Sequence, residues 1–97
     1  MREANETRVD GTTERRQYYF NNDHGASVIR TPYSYGGRDG LWELAVLKRG
    51  EKGVWDLCYT TPISDDVIGW LSEGEVDTLL DMIEKLPKRE EEEWTDS

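Results

Sequence analysis

The sequence is 97 residues long and carries 21 acidic against 12 basic side chains, a formal net charge of −9. A chain of this length forms one domain. Its acidity disfavours binding to the phosphate backbone of nucleic acids and to anionic membranes. The charge is unevenly placed, since nine basic and nine acidic residues cancel over 1–64, whereas 65–97 hold twelve acidic and three basic residues. The whole net charge therefore lies in the last third of the chain.

The apolar residues are concentrated in the middle of the chain, where 30 of the 34 lie between Gln17 and Leu86. This distribution predicts a disordered N-terminal tail over 1–15, a single domain over 16–87 and a disordered acidic tail over 88–97.

Two hairpins are predicted in the first part of that domain. Aromatic and β-branched residues over 16–20 and 26–30, separated by turn formers over 21–25, favour the first hairpin. Glycines and a proline over 31–40 predict a loop, within which 35–40 are expected to form a flexible turn. An apolar strand over 41–48 and a return strand over 54–60, joined by a loop over 49–53, form the second hairpin.

The clearest element is a helix over 73–86. Ser72 and Glu75 have the spacing of a capping box, and the apolar positions from Val76 onward repeat with helical periodicity up to Pro87. The preceding segment, 64–71, favours a single helical turn over a short extended piece. The predicted fold is α+β, a small antiparallel sheet of two hairpins covered on one face by the C-terminal helix.

No motif in the sequence predicts a catalytic site, a metal site or a cofactor, so we expect a protein that is not an enzyme. The chain has no phosphate-binding loop and no nucleophile elbow. One cysteine, Cys58, excludes an intramolecular disulfide and a cysteine zinc cluster. The longest apolar run, 44–47, is too short to span a membrane, and no apolar signal segment starts the sequence, which favours a cytoplasmic location.

The loop over 31–40 holds the first candidate binding residues. Tyr33, Tyr35 and Arg38 lie outside the predicted strands, where core packing does not account for them. Tyrosine and arginine are common at the centres of protein interfaces. These three residues are therefore predicted to contact a partner.

The second candidate surface is an acidic edge of the helix. Its four carboxylates fall within an arc of about 80°, and they are Glu73, Asp77, Asp81 and Glu84. Like charges four residues apart destabilise a helix slightly, so stability alone does not favour this edge. It either keeps the chain soluble or matches a basic partner. In the acidic tail after Pro87, Trp94 is a further candidate anchor for a partner.

Two segments carry a resemblance to a known group of proteins. The runs Tyr33–Leu47 (YSYGGRDGLWELAVL) and Thr61–Leu71 (TPISDDVIGWL) resemble small uncharacterised proteins of actinobacterial phages and prophages. The resemblance implies a small accessory protein in the cytoplasm of a bacterial host that acts by binding. It implies no catalytic residue.

The leading hypothesis is a non-enzymatic protein-binding or regulatory module whose acidic surface engages a basic protein surface. In its most specific form, the protein inhibits its partner by mimicry of DNA. Two alternatives remain open. Aromatic side chains on alternate strand positions could stack on the bases of a nucleic acid, although the balanced charge over 1–64 disfavours this. An open edge strand would also allow a small homodimeric structural protein.

Overall fold

The chain folds as an α+β domain in which one helix packs on an antiparallel sheet, as the sequence predicts. The structure is a computed structural model and describes residues 1–58 and 67–88. The elements are β1 (Glu6–Asp10), β2 (Thr13–Tyr19), β3 (His24–Arg30), β4 (Trp42–Arg49), β5 (Trp55–Leu57), β6 (Ile68–Leu71) and α1 (Glu73–Glu84). The sheet order is β1-β2-β3-β4-β5, and β6 also pairs with β4. The sheet thus extends both predicted hairpins.

The prediction of a disordered segment over 1–15 is wrong, because this segment forms β1 and the start of β2. Asp10 pairs with Thr13, which leaves a two-residue turn in which Gly11 adopts a φ of 62°. That turn favours glycine at its first central position. All five residues of β1 are exposed, so the strand is stabilised by hydrogen bonding to β2 and not by apolar burial.

The core lies between α1 and one face of the sheet. Ala26 and Val28 on β3 face Leu44 and Val46 on β4 in register, and all four are buried. The helix covers them with Val76, Leu80 and Ile83, which are fully buried.

The segment 68–71 is a strand and not the helical turn that the sequence favoured. Ile68 pairs with Leu44 and Leu71 with Trp42. The extended conformation puts Ile68 and Leu71 against the core, where Leu71 is buried. Pairing with β4 therefore overrides the local preference for a turn. The earlier part of that prediction, 64–66, lies outside the described residues, as does the predicted end of the β5 strand at 59–60.

The capping box of α1 is confirmed. The Ser72 hydroxyl accepts a hydrogen bond from the Glu75 amide at 3.2 Å, and the Glu75 carboxylate accepts one from the Ser72 amide at 3.0 Å. The helix ends two residues earlier than predicted, at Glu84.

No helix in the described part of the chain is long and apolar enough to cross a membrane.

Candidate functional site

The loop over 31–40, expected to contain a flexible turn, is held by hydrogen bonds along its length. The Thr31 hydroxyl accepts from the amides of Tyr33 and Ser34, both at 3.0 Å, and the Ser34 hydroxyl donates to the Thr31 carbonyl at 3.0 Å. The amide of Gly37 then donates to the Ser34 carbonyl at 3.0 Å. These bonds fix the backbone that carries both loop tyrosines.

Tyr33 and Tyr35 are presented to solvent by this ordered backbone, with 91% and 62% of their surface exposed. The Tyr35 amide donates to the Glu43 carboxylate at 2.9 Å. Arg38, the third predicted residue of this group, donates from Nε to the Pro32 carbonyl at 3.2 Å. Its side chain therefore holds the loop closed, whereas the tyrosines project from it.

Trp70, which was not among the predicted partner-binding residues, joins this surface from β6. Its amide donates to the Tyr35 carbonyl at 3.2 Å. Gly69 approaches Tyr35 so closely that an added Cβ would lie 2.3 Å from the Tyr35 Cβ. The chain thus brings Trp70 and the tyrosine loop together, and we call Tyr33, Tyr35 and Trp70 the aromatic patch.

The backbone at Trp70 is strained. Gly69 and Trp70 form a bulge opposite the single residue Glu43, and Trp70 has a φ of 60°. A left-handed conformation is unfavourable by about 1–2 kcal/mol for a residue with a Cβ, and such strain is concentrated at functional sites. Because 60% of the Trp70 side chain is exposed, burial of the ring does not by itself compensate for this backbone strain.

The aromatic residues of the sheet are engaged inside the fold. Tyr18 and Trp42 are buried. The rings of Tyr19 and Trp55 contact each other with centroids 4.8 Å apart. The Tyr19 hydroxyl donates to the Glu6 carboxylate at 2.6 Å, and burial together with that bond raises the pKa of Tyr19 to about 12. These side chains therefore do not form the free stacking platform that a nucleic-acid-binding sheet requires.

The two arginines beside Trp42 share one carboxylate partner. Arg16 and Arg30 each donate to the Glu14 carboxylate at 2.9 Å. Burial alone would raise the pKa of Glu14, but these hydrogen bonds outweigh it and hold that pKa below its ordinary value. The Arg30 guanidinium also lies 4.3 Å from the centre of the Trp42 ring. Two arginines and one glutamate thus form one ion-pair network with a net charge of +1, in which Glu14 holds both guanidinium groups.

The acidic edge of α1 is met by the chain's own N-terminus. The Arg2 guanidinium contacts the carboxylates of Asp81 at 2.9 Å and Glu84 at 3.1 Å. The Arg2 amide donates to Asp77 at 2.7 Å. The N-terminal ammonium lies 3.4 Å from Glu73. All four predicted carboxylates are therefore brought together, and each has a partner within the chain.

Two further contacts fix Arg2 over the sheet. The Tyr18 hydroxyl donates to the Arg2 carbonyl at 2.7 Å, and the Arg2 guanidinium lies 5.2 Å from the centre of the Phe20 ring. Residues 1–5 thus form an N-terminal strap between the sheet and α1. The strap is not predictable from the sequence, because nothing in the local pattern around Arg2 indicates which distant carboxylates it meets.

Replacing Arg2 by alanine is expected to lower the free energy of unfolding by about 1 kcal/mol, because the ion pairs are partly exposed. Urea denaturation at low salt measures the change, and the difference from wild type should shrink in 1 M NaCl. Arg8→Ala, which removes an exposed arginine from β1, is the control and should have less than half that effect. Equal losses for both variants would contradict the role of the strap.

Trp94 lies outside the described residues, as does the rest of the tail from 89 to 97. Within the described residues, no group of three or more His, Cys, Asp or Glu side chains could hold a metal ion.

No protein-family model, curated protein or solved structure matches this chain.

Proposed function

We propose that the protein is a non-enzymatic binding module that docks on a basic surface of a protein partner through the aromatic patch. The observation that carries the proposal is Trp70, an exposed tryptophan on a strained bulge, bonded to the ordered loop of the two tyrosines. Tryptophan and tyrosine contribute large contact areas at interface centres. An ordered loop loses little conformational entropy on binding, so more of the contact energy appears as affinity.

The charge of the chain supports a basic partner. The formal net charge is −9, and α1 carries five acidic and no basic residues. Opposite charge steers a partner towards the surface and speeds association. At the surface itself, the faces of tyrosine and tryptophan attract lysine and arginine by cation–π interaction.

Mimicry of DNA by the acidic edge is supported less well. A mimic needs carboxylates that are available to the partner, but the strap binds those of the acidic edge through Arg2. A partner would first have to displace Arg2. The aromatic patch needs no such displacement, and we therefore place the partner contact there. A phage origin and a cytoplasmic location stay predictions.

Selection from a displayed library of random twelve-residue peptides tests the proposal. The wild-type protein is expected to enrich sequences rich in lysine, arginine and apolar residues, and binding of the enriched pool should fall at least tenfold for Tyr35→Ser and Trp70→Gly. Val9→Ser, which removes an exposed apolar residue from β1, is the control and should bind normally. Unchanged binding of both patch variants, enrichment of acidic peptides or no enrichment at all would overturn the proposal.

Two Trp70 variants test the strain separately. Both Trp70→Ala and Trp70→Gly remove the ring, so they differ only in the Cβ. Alanine is ordinarily the more stabilising of the two residues, but at a φ of 60° we expect Trp70→Gly to be more stable than Trp70→Ala by about 1 kcal/mol. Thermal and urea unfolding measure the order. A more stable alanine variant would show that the backbone is not strained.

A further inference from the structure

The two edges of α1 differ in chemistry. The strap covers the acidic edge, whereas the opposite edge, at about 100° per residue, presents Glu75, Leu79 and Met82. Leu79 is half-buried, and Met82 is 45% exposed. Methionine adapts its shape to different apolar surfaces. The second edge thus has the composition of a surface that contacts apolar side chains.

A groove of about 260 Å³ runs between this edge and the end of β6, lined by Leu71, Glu75, Thr78 and Leu79. It is smaller than the cavities of about 300–1,000 Å³ that hold drug-sized ligands, and it suits a single side chain. Leu71, Leu79 and the Thr78 methyl group offer it an apolar lining. The Glu75 carboxylate is held at one side by the Ser72 amide at 3.0 Å.

Leu71 of the groove lining directly follows Trp70 in β6, and consecutive side chains of a strand point to opposite faces. The groove and the exposed Trp70 ring therefore lie on the two sides of this strand. An extended segment that runs along β6 alternates its own side chains between the same two sides, so neighbouring side chains of one short peptide can meet both.

We propose that the groove takes an aliphatic side chain from an extended segment of the partner, with a lysine or arginine beside it that pairs with Glu75. This rests on the proposed function and names the chemistry of the partner at the same surface. Charge selects the occupant, because the Glu75 carboxylate lines the groove and the chain has a formal net charge of −9. A second copy of this acidic chain would bring like charges together, whereas a basic segment is attracted.

Two lysine substitutions on α1 make the test. Thr78→Lys fills the groove and places a positive charge in it. Gly74→Lys adds the same charge on the same helix, away from the groove lining, where an added Cβ meets no atom within 4 Å. Both positions are exposed, and circular dichroism checks that both variants fold.

The same twelve-residue peptide library is selected on wild type and on each lysine variant. Wild type and Gly74→Lys should enrich an aliphatic residue next to lysine or arginine, and Thr78→Lys should enrich that pair at least tenfold less. The same preference on Thr78→Lys, or no aliphatic preference on wild type, would overturn the inference. If Trp70→Gly still abolishes binding in that case, the proposed function stands without the groove. Nuclear magnetic resonance spectra of the protein alone test for a second copy in the groove. If the signals of the groove residues shift with protein concentration, a second copy is the occupant, and the inference would also be overturned.

Discussion

Replacing Gly37 by alanine is expected to lower the free energy of unfolding by about 3 kcal/mol, the upper range for an inserted methyl group that has no room. An added Cβ would lie 1.7 Å from the Thr31 carbonyl oxygen and 2.5 Å from the Ser34 hydroxyl. Backbone cannot rotate away as a flexible side chain can. The Thr31 carbonyl would have to move, and it accepts the hydrogen bonds from Ser34 that close the loop.

Gly40→Ala is the matched control for this substitution. Gly40 belongs to the same loop and has a φ of 76°, but an added Cβ there meets no atom within 4 Å. Its replacement costs only the left-handed backbone conformation, about 1 kcal/mol. Urea denaturation of both variants measures the difference, which should be about 2 kcal/mol. Equal losses would show that the close approach at Gly37 does not hold the loop.

Gly37→Ala also tests whether the order of the loop contributes to peptide binding. If Gly37→Ala opens the loop while the sheet remains folded, the tyrosines stay exposed but lose their fixed position. Enriched peptides should then bind more weakly, because ordering the loop becomes part of the binding free energy. A folded Gly37→Ala protein with unchanged peptide affinity would show that the order of the loop contributes nothing to binding.

The sequence was most informative where local pattern and tertiary packing agree. In α1, capping residues and apolar periodicity indicate the same helix, and its start at Glu73 is confirmed. The β4 strand is apolar on both faces, which matches its place inside the sheet. The turn before β3 also follows from composition, because Asp23 adopts a φ of 63° and aspartate tolerates that region.

Prediction failed where a strand has no apolar pattern of its own or is stabilised by distant partners. β1 has no buried residue, so no apolar alternation indicates a strand, and only the Asp10-Gly11 pair carries a turn signal. β6 forms because β4 offers it hydrogen bonds from far away in the sequence.

Only some residues of the candidate site could be predicted from the sequence. Tyr33 and Tyr35 could be selected as loop aromatics, and both are exposed. The exposure of Trp70 depends on a bulge that pairing with β4 creates, so no local pattern indicates it. The acidic edge was identified from periodicity, but the arginine that binds it is 75 residues or more away in the chain.

Replacing Asn22 by aspartate is expected to lower the free energy of unfolding by about 3 kcal/mol at pH 7, since it leaves carbonyls without a donor and adds a charge beside them. The Asn22 amide nitrogen donates to the carbonyls of Ile83 at 2.8 Å, Glu84 at 3.2 Å and Leu86 at 2.9 Å. Glu84 ends α1, where carbonyls lack intrahelical donors, and Leu86 lies just beyond that end, whereas the Ile83 carbonyl also accepts from the Leu86 amide at 3.1 Å. A carboxylate has no proton to donate and is repelled by the negative end of the helix dipole.

The pH dependence of the stability of Asn22→Asp distinguishes the loss of this cap from a general loss of packing. The repulsion disfavours the charged form in the folded state, so the pKa of the new aspartate lies above its unfolded value of about 3.9. The loss of stability should therefore be small below the unfolded pKa, where the group is protonated in both states. It should develop as the pH rises from the unfolded pKa through the folded pKa. Asn21→Asp changes the charge of the same turn at an exposed position and should stay within about 0.5 kcal/mol of wild type. Urea denaturation from pH 3 to pH 8 measures all three proteins, and a loss for Asn22→Asp that does not vary with pH would contradict capping of α1 by Asn22.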